Sequence, residues 1–487
     1  MPVFTFGEWL PDQPDYQNQG VLRATNVFPS ATGYEPVPRF EPLTDALASR
    51  PLGAIRSRDA NGNVFEFAGD AGKLYQRVSS EWQDRSITGG YSTGSGERWE
   101  FVRWKDKILA TNFSDDPQHI TFGASEFANL TTALRARHIA AVRDFVVFGN
   151  TFDTTDGNVP DRVRWSAFND ETDYTVSPAT GSDFQDLKGE AVQRVLGGEF
   201  GIVFTASSVW RMTFVGTPAW FQFDEVLPGI GAISPGAVVR DGDRAYFLSP
   251  RGFYMLTNGA SPQPIGANKV DNFVLSDLQV DSAFRMSATV DPESHRVLWS
   301  YPGAGSDGTP NRIVVYDPTL DRWTVIEHEN ELIWQSGGIG VTLEELDGFS
   351  ASIDDLGVSL DSPVWKGSGR LFAAFNADRR NGQFRGTPMT AVIETREHEI
   401  HSGRRARLHA FRPVVDGGSV TARVGTRNNQ AETPQYGPIL NQTQTGRFAT
   451  RANARYHRIE LTISGNWRNA VGVQIDRQDA RRGGRRG

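Results

Sequence analysis

The sequence predicts a mostly-β protein: an irregular β-propeller-like body of about six blades, followed by a C-terminal β-sandwich. Three features point there. Short runs rich in β-branched and aromatic residues alternate with a period of two, each bounded by Gly, Pro, Asn or Asp, as half-buried strands do. Many runs are joined by tight polar turns such as Lys105-Asp106, Arg143-Asp144, Asp241-Gly242-Asp243 and Asp291-Pro292-Glu293-Ser294, which make antiparallel hairpins. The turns at Asp106, Asp144, Glu199, Asp243 and Ser294 recur 38 to 55 residues apart, a blade-like spacing with insertions.

The chain has 487 residues, 38% of them hydrophobic, with 50 glycines, a globular composition. It has no cysteine, which excludes disulfides, thiolate-bound zinc, iron–sulfur clusters and a cysteine nucleophile. No run approaches the about 18 apolar residues of a membrane span. The opening Met1-Pro2-Val3-Phe4-Thr5-Phe6-Gly7-Glu8-Trp9 lacks the basic and long apolar parts of a secretory signal, so a soluble product not secreted by that route is expected. The net charge is −8, from 58 acids and 50 bases, unlike the surface of a tight duplex binder. The last twelve residues depart from this. Arg477, Arg481, Arg482, Arg485 and Arg486 stand against Asp476 and Asp479, a net +3 that leaves −11 for the body.

Residues 1–50 hold Phe4, Phe6, Trp9, Leu10, Val27 and Phe28 among many prolines, too irregular for a core of their own. They read as an extended docking segment that clamps onto the propeller or onto a neighbouring subunit, with Phe4, Phe6, Trp9 and Leu10 as the candidate docking residues. The body spans 51–335. Its clearest strands are 64–68, 73–78, 99–104, 107–111, 145–149, 163–166, 202–205 and 209–214, then 245–248, 252–256, 297–301, 313–316 and 323–326. They group into similar units near 60–85, 98–123, 138–167, 192–214, 236–257 and 286–326. Twelve Trp and 30 Phe can fill the space between radial sheets, and Trp165, Trp210, Trp299 and Trp323 read as such filler. A pair of sandwiches is the competing architecture, because no WD or kelch signature recurs.

From 336 to 385 the texture changes. Leu343-Glu344-Glu345-Leu346 and Ile353-Asp354-Asp355-Leu356 have helical spacing among Gly and Ser, and an insertion with a short helix and closing strands is expected. Alternation returns at 371–375, 390–395, 408–414, 420–424, 456–463 and 471–475, and a β-sandwich is placed over 386–475. Residues 476–487 are expected to be a flexible Arg/Gly tail, since they cannot bury a core.

The chemical motifs lead to no reaction. Glu344/Glu345, Asp354/Asp355 and Asp153/Asp156/Asp161 are the densest acidic clusters. A glycosidase needs two carboxylates about 5 to 10 Å apart across a cleft, whereas neighbouring residues point to opposite faces of a strand or diverge by about 100° on a helix. The 153–161 loop could wrap calcium or be a plain turn; its spacing is not that of an EF-hand. His398-Glu399-Ile400-His401 sets its histidines three apart on a strand, not the four of a zinc protease helix. Gly303-Ala304-Gly305-Ser306-Asp307-Gly308 is followed by a strand and reads as a hairpin loop, not a pyrophosphate cradle. Gly90-Tyr91-Ser92-Thr93-Gly94 has hydrolase spacing but lies in a loop that leads to a strand. No catalytic residue, metal site or cofactor is assigned.

Several patches resemble bacteriophage tail proteins: Leu10-Pro11-Asp12-Gln13-Pro14-Asp15-Tyr16, Ala24-Thr25-Asn26-Val27-Phe28-Pro29, Gly33-Tyr34-Glu35-Pro36-Val37-Pro38 and Arg162-Val163-Arg164-Trp165-Ser166-Ala167-Phe168-Asn169-Asp170. Others are Leu343-Glu344-Glu345-Leu346-Asp347, Ser359-Leu360-Asp361-Ser362-Pro363-Val364-Trp365, Arg412-Pro413-Val414-Val415-Asp416-Gly417 and Arg455-Tyr456-His457-Arg458. The family they resemble is the tail nozzle, or distal tail-tube, protein of short-tailed phages, also called the packaged-DNA stabilisation protein. The resemblance implies a structural protein of the virion tail, made in the host cytoplasm. It implies a ring of six beneath the portal and adaptor that forms the last part of the DNA channel, with tip loops that retain the genome until ejection. Implied partners are its own copies, the adaptor (head-to-tail connector), tail fibre or needle proteins, double-stranded DNA passing non-specifically, and the host envelope. An acidic body agrees on separate grounds, since it repels a polymer carrying one negative charge per about 1.7 Å, within a screening length of about 8 Å. The tail arginines Arg481, Arg482, Arg485 and Arg486 read as a solvated terminus or as contacts to DNA or a subunit. The alternatives from other classes are a receptor-binding tail protein and a polysaccharide-degrading propeller enzyme.

Overall fold

The computed structural model describes residues 3–16, 18–337 and 370–480, with side chains to 476. The expected helix at 343–346, the acidic pairs Glu344/Glu345 and Asp354/Asp355, two of the resembling patches and Arg481, Arg482, Arg485 and Arg486 lie outside the described residues. The regular structure of the described residues is nearly all strand, as expected, and the body is a β-propeller.

Six four-stranded antiparallel sheets stand as separate blades. Five are continuous meanders, beginning at Gly53–Arg58, Glu100–Trp104, Arg135–Val142, Val192–Leu196 and Val238–Asp241. The sixth is assembled from Asn330–Gly337, Arg370–Asn376 and Arg380–Pro388, and its fourth strand is Pro38–Ala46 from the N-terminal segment. A further meander, of Ser287–Val290, Val297–Tyr301, Arg312–Asp317 and Arg322–Glu327, has its first strand against the fifth and sixth blades. Its outer strand continues through Arg23–Thr25 into a fifteen-stranded sheet. The six units read from the sequence are therefore the five continuous blades and this bridging meander; the assembled blade has no single stretch of sequence to announce it.

Apolar cores sit between successive sheets. Phe67, Trp99 and Ile108 lie between the first two blades, Leu109, Ile139 and Phe148 between the next pair, and Phe204, Val238 and Phe247 between the fourth and fifth. Strands covered on both faces lose alternation and become continuously apolar: Phe145–Asp153 is buried at all but one position and Val297–Tyr301 at all five. Outermost strands such as Ser261–Pro264 are exposed throughout, and carry too little apolar pattern to be read from sequence. Trp165, Trp299 and Trp323 fill gaps as expected, the last two stacked with ring centroids 5.9 Å apart. Trp299 donates its indole N–H to the Ala237 carbonyl at 2.9 Å, so its one polar atom is satisfied across the interface.

The ring closes where the assembled blade meets the first one. Tyr75, Leu332, Trp334 and Phe375 share a core there, with Trp82 packed 5.5 Å from the Phe375 ring. Trp82 donates to the Thr44 hydroxyl at 3.1 Å, and the Asp45 N–H donates to the Ser80 carbonyl at 2.9 Å.

In the C-terminal domain the runs expected as separate strands are continuous. Ala406–Arg427 and Tyr456–Ala480 form one long hairpin. Register shifts around 408–419 and the left-handed Gly417 and Gly418 (φ 88° and 73°) bend it, as bulges and glycines do. Leu408, Phe411, Val473 and Ile475 from one half share a core with Val420, Val424, Ile459 and Leu461 from the other. The sandwich-like layering is thus one sheet curled on itself.

Phe375→Ala at the ring closure is expected to cost about 3 to 5 kcal/mol, whereas Ile439→Ala, at a side chain 67% exposed, should stay within about 0.5 kcal/mol. Urea denaturation followed by tryptophan fluorescence separates the two.

Candidate functional site

Two polar assemblies stand out against these cores: a cavity on the propeller axis and a junction that ties down the N-terminal segment.

The first strands of the blades line the axis, around a cavity of about 160 Å³. Arg98, Glu100 and Arg194 supply its charge, beside Gly53, Gly236 and Ser287. Glu100 is 3% exposed. It accepts from Arg194, from His138 Nδ1 at 3.0 Å and from the Ile139 N–H at 3.4 Å. Burial alone would raise its carboxyl, but Arg194, His138 and Arg98 outweigh that and hold it at about 2. Burial, with repulsion from Arg194, lowers the Arg98 guanidinium to about 10. Sequence reading missed this group; the available signal was an Arg-x-Glu pair at 98–100, where a strand entering a closed core is expected to be apolar.

The junction collects residues from both ends of the chain. Asp12 accepts from the Asn272 and Phe273 N–H groups, both at 2.8 Å, and so caps from outside the first turn of the helix Asp271–Asp277, whose own N-cap Val270 has no side-chain oxygen. Asp15 pairs with Arg458, which also binds Glu397 at 3.2 Å; Arg427 holds the same Glu397 at 2.6 Å. Asn26, left-handed at φ 58°, bonds three ways: its N–H to the Val325 carbonyl, its Nδ2 to the Thr390 carbonyl, and its Oδ1 from the Glu327 N–H. Tyr34 is buried and donates to the Gly7 carbonyl at 2.9 Å.

The candidate docking residues lie on this chain's own body. Phe6, Trp9 and Leu10 are 3%, 2% and 7% exposed, and the ring of Phe4 stacks on His398 at 3.7 Å. Of the two surfaces left open in the sequence, the segment covers its own propeller and curled sheet.

The remaining motifs have structural employment. Asp153 accepts from the Thr155 and Asp156 N–H groups and pairs with Arg164 at 3.0 Å, while Asp156 pairs with Arg162; these two carboxylates are engaged by arginine. His398 and Glu399 lie on a strand, with Glu399 bound to Arg455 at 2.6 Å. The glycine string 303–308 is a hairpin loop, between Val297–Tyr301 and Arg312–Asp317. Among the described residues no group of three or more His, Asp or Glu side chains is placed to hold a metal ion, and no helix is long and apolar enough to cross a membrane.

Strand pairing thus defines a propeller joined to a curled sheet. No family model and no curated protein matches the chain. Among solved structures it is similar to the WD40 domain of Neurospora crassa Pan2 (8% identity, TM-score 0.36, 70% of this chain and 99% of that one). It is also similar to BBS1N in complex with ARL6DN (8%, 0.39, 72% and 96%) and to the extracellular domain of a putative hybrid two component system from B. thetaiotaomicron (10%, 0.42, 82% and 47%). At these scores the likenesses add nothing to what strand pairing already defines.

Asp12→Ala should destabilise the protein by about 0.5 to 2 kcal/mol through loss of the cap, read as a lower urea midpoint at pH 7. A pH effect is also expected. Burial, with Arg396 and His457 adding repulsion, lowers His398 to about 3, and burial lowers His457 to about 4. Between those values and the ordinary 6.5 the unfolded chain binds more protons, so their contribution is complete above pH 6.5 and lost as pH falls. At pH 4.5 the loss is about 2 to 3 kcal/mol for each, and the double variant His398→Phe/His457→Phe should flatten urea midpoints between pH 7 and 4.5.

Proposed function

We propose that this chain is a structural subunit of the tail nozzle of a short-tailed bacteriophage. Six copies form a ring beneath the adaptor, which continues the channel and helps to retain the packaged genome until ejection. The observation that carries this reading is where the resembling residues lie. Asp12, Asp15 and Asn26, and Arg458 more than 400 positions later, are spent on fastening the N-terminal segment to the propeller and the curled sheet, and Tyr34 ties that segment to itself at Gly7. Such residues make a wall rigid; they do not surround a substrate.

The charge pattern supports the same reading. The body is acidic, at −11 without the last twelve residues, and repeated around a ring it would present DNA with a lining that repels phosphate. A cationic wall would instead hold DNA through counterion release. Nothing in this role calls for a catalytic residue, metal or cofactor.

Native mass measurement of the purified protein tests the proposal. Six copies, or a monomer that becomes six on its adaptor, is the expected result. A stable trimer would instead favour a receptor-binding tail protein, and release of reducing ends from host polysaccharide would favour an enzyme. Electron microscopy of the virion should place the chain on the genome's exit path. Deleting residues 480–487 should alter assembly or genome retention if the arginine tail contacts a subunit or DNA.

A further inference from the structure

The axial cavity carries an unbalanced charge. It adjoins a second, smaller space whose charged lining is Arg50, Arg98, Arg285, Glu97 and Glu331. Across the two, Arg50, Arg98, Arg194 and Arg285 face Glu100 and Glu331, because the nearby Glu97 is taken up by Arg137 at 2.8 Å. Arg194 is bound to Glu100 and Arg285 to Glu331 at 2.6 Å, which leaves Arg50 and Arg98 without a matching carboxylate among these groups. A surplus of half-buried cations, only partly solvated, is costly unless an anion accompanies it.

The polar atoms point the same way. The Nε atoms of Arg98 and Arg194 are buried and have no hydrogen-bond partner among the described residues. Among the described residues Arg98 donates through Nη1 to the Met286 carbonyl, at 3.3 Å. That position is built into the backbone: a Cβ at Gly236 would lie 2.4 Å from Arg98 Nη1 and 1.8 Å from the Met286 oxygen. Glycine is therefore what lets the guanidinium sit there. The cavity, about 160 Å³, compares with about 10–15 Å³ for a single water by the same kind of measure, which is ample for a tetrahedral oxyanion. Guanidinium groups present paired N–H donors that match oxyanion geometry.

We propose that the axial cavity is a binding site for a small oxyanion of the phosphate type, held by Arg98 and Arg194 with Arg50 contributing charge. It is independent of the nozzle reading, since it requires only the closed ring of blades. The occupant neutralises the surplus charge and cross-links first strands of several blades, so binding also stabilises the propeller.

The test is equilibrium dialysis of the full chain against radiolabelled inorganic phosphate, with ionic strength held constant by chloride. One phosphate per chain is expected, along with a rise in thermal midpoint that equimolar chloride does not produce. Arg98→Gln and Arg194→Gln should each weaken binding by about tenfold or more, whereas Arg412→Gln, which removes an ion pair with Asp476 on the curled sheet, should leave it unchanged. Circular dichroism confirms that the variants fold, and Arg194→Gln, at a side chain 28% exposed, serves if Arg98→Gln does not. Absence of stoichiometric binding, affinity in both cavity variants equal to that of the unaltered protein, or displacement by equimolar chloride would overturn the proposal.

Discussion

The antiparallel pairing of Pro38–Ala46 with Arg380–Pro388 is the constraint on which the rest depends. A propeller is a sheet array without ends only if its last blade is finished, and here the finishing strand comes from the other end of the body. The pairing sets Phe40 opposite Phe384 and brings Thr44 to Trp82 of the first blade. With the ring closed, the first strands of the blades surround a common axis, and Arg194 becomes a neighbour of Arg98 and Glu100 although it belongs to a different blade.

The same crossing explains why the N-terminal segment is so heavily tied. Once residues 38–46 are committed to the ring, residues 3–36 must travel over the outside of the molecule, and they do so in short pairings. Val3–Thr5 lies along 472–474, and Arg23–Thr25 lies between the bridging meander and Ala391–Glu394. Between these pairings the chain is too rich in proline for long ladders, because proline has no N–H to donate. Side chains therefore take over the fastening: Asp12 on the helix, Asp15 on Arg458, Asn26 on three backbone groups.

What was legible in the sequence follows from burial. Strands covered on both faces, such as 145–149 and 297–301, are continuous apolar runs and were read directly. Strands on the outer rim, such as Ser261–Pro264, face water and carry no pattern. The assembled blade was hidden for a different reason, since its strands come from three separated stretches of chain. In the C-terminal domain, Gly417 and Gly418 look like a turn between two strands, and in the fold they are a bend within one. The apolar character of Phe6, Trp9 and Leu10 correctly marked them as covered, but composition does not say by what. Arg98 gave a local sign only through its Arg-x-Glu pair with Glu100, and Arg194 gave none, because its meaning depends on residues from another blade.

Sharing a sheet is a stronger bond between domains than a linker. The bridging meander is at once part of the propeller and the first strands of the fifteen-stranded sheet, so no flexible joint separates the two bodies there. Rotating one against the other would break the Thr25–Val325 bridge or the three-residue ladder with Ala391–Glu394, not merely slide two surfaces. A load applied to the curled sheet is therefore delivered straight into the ring of blades, and the molecule yields as one piece or not at all.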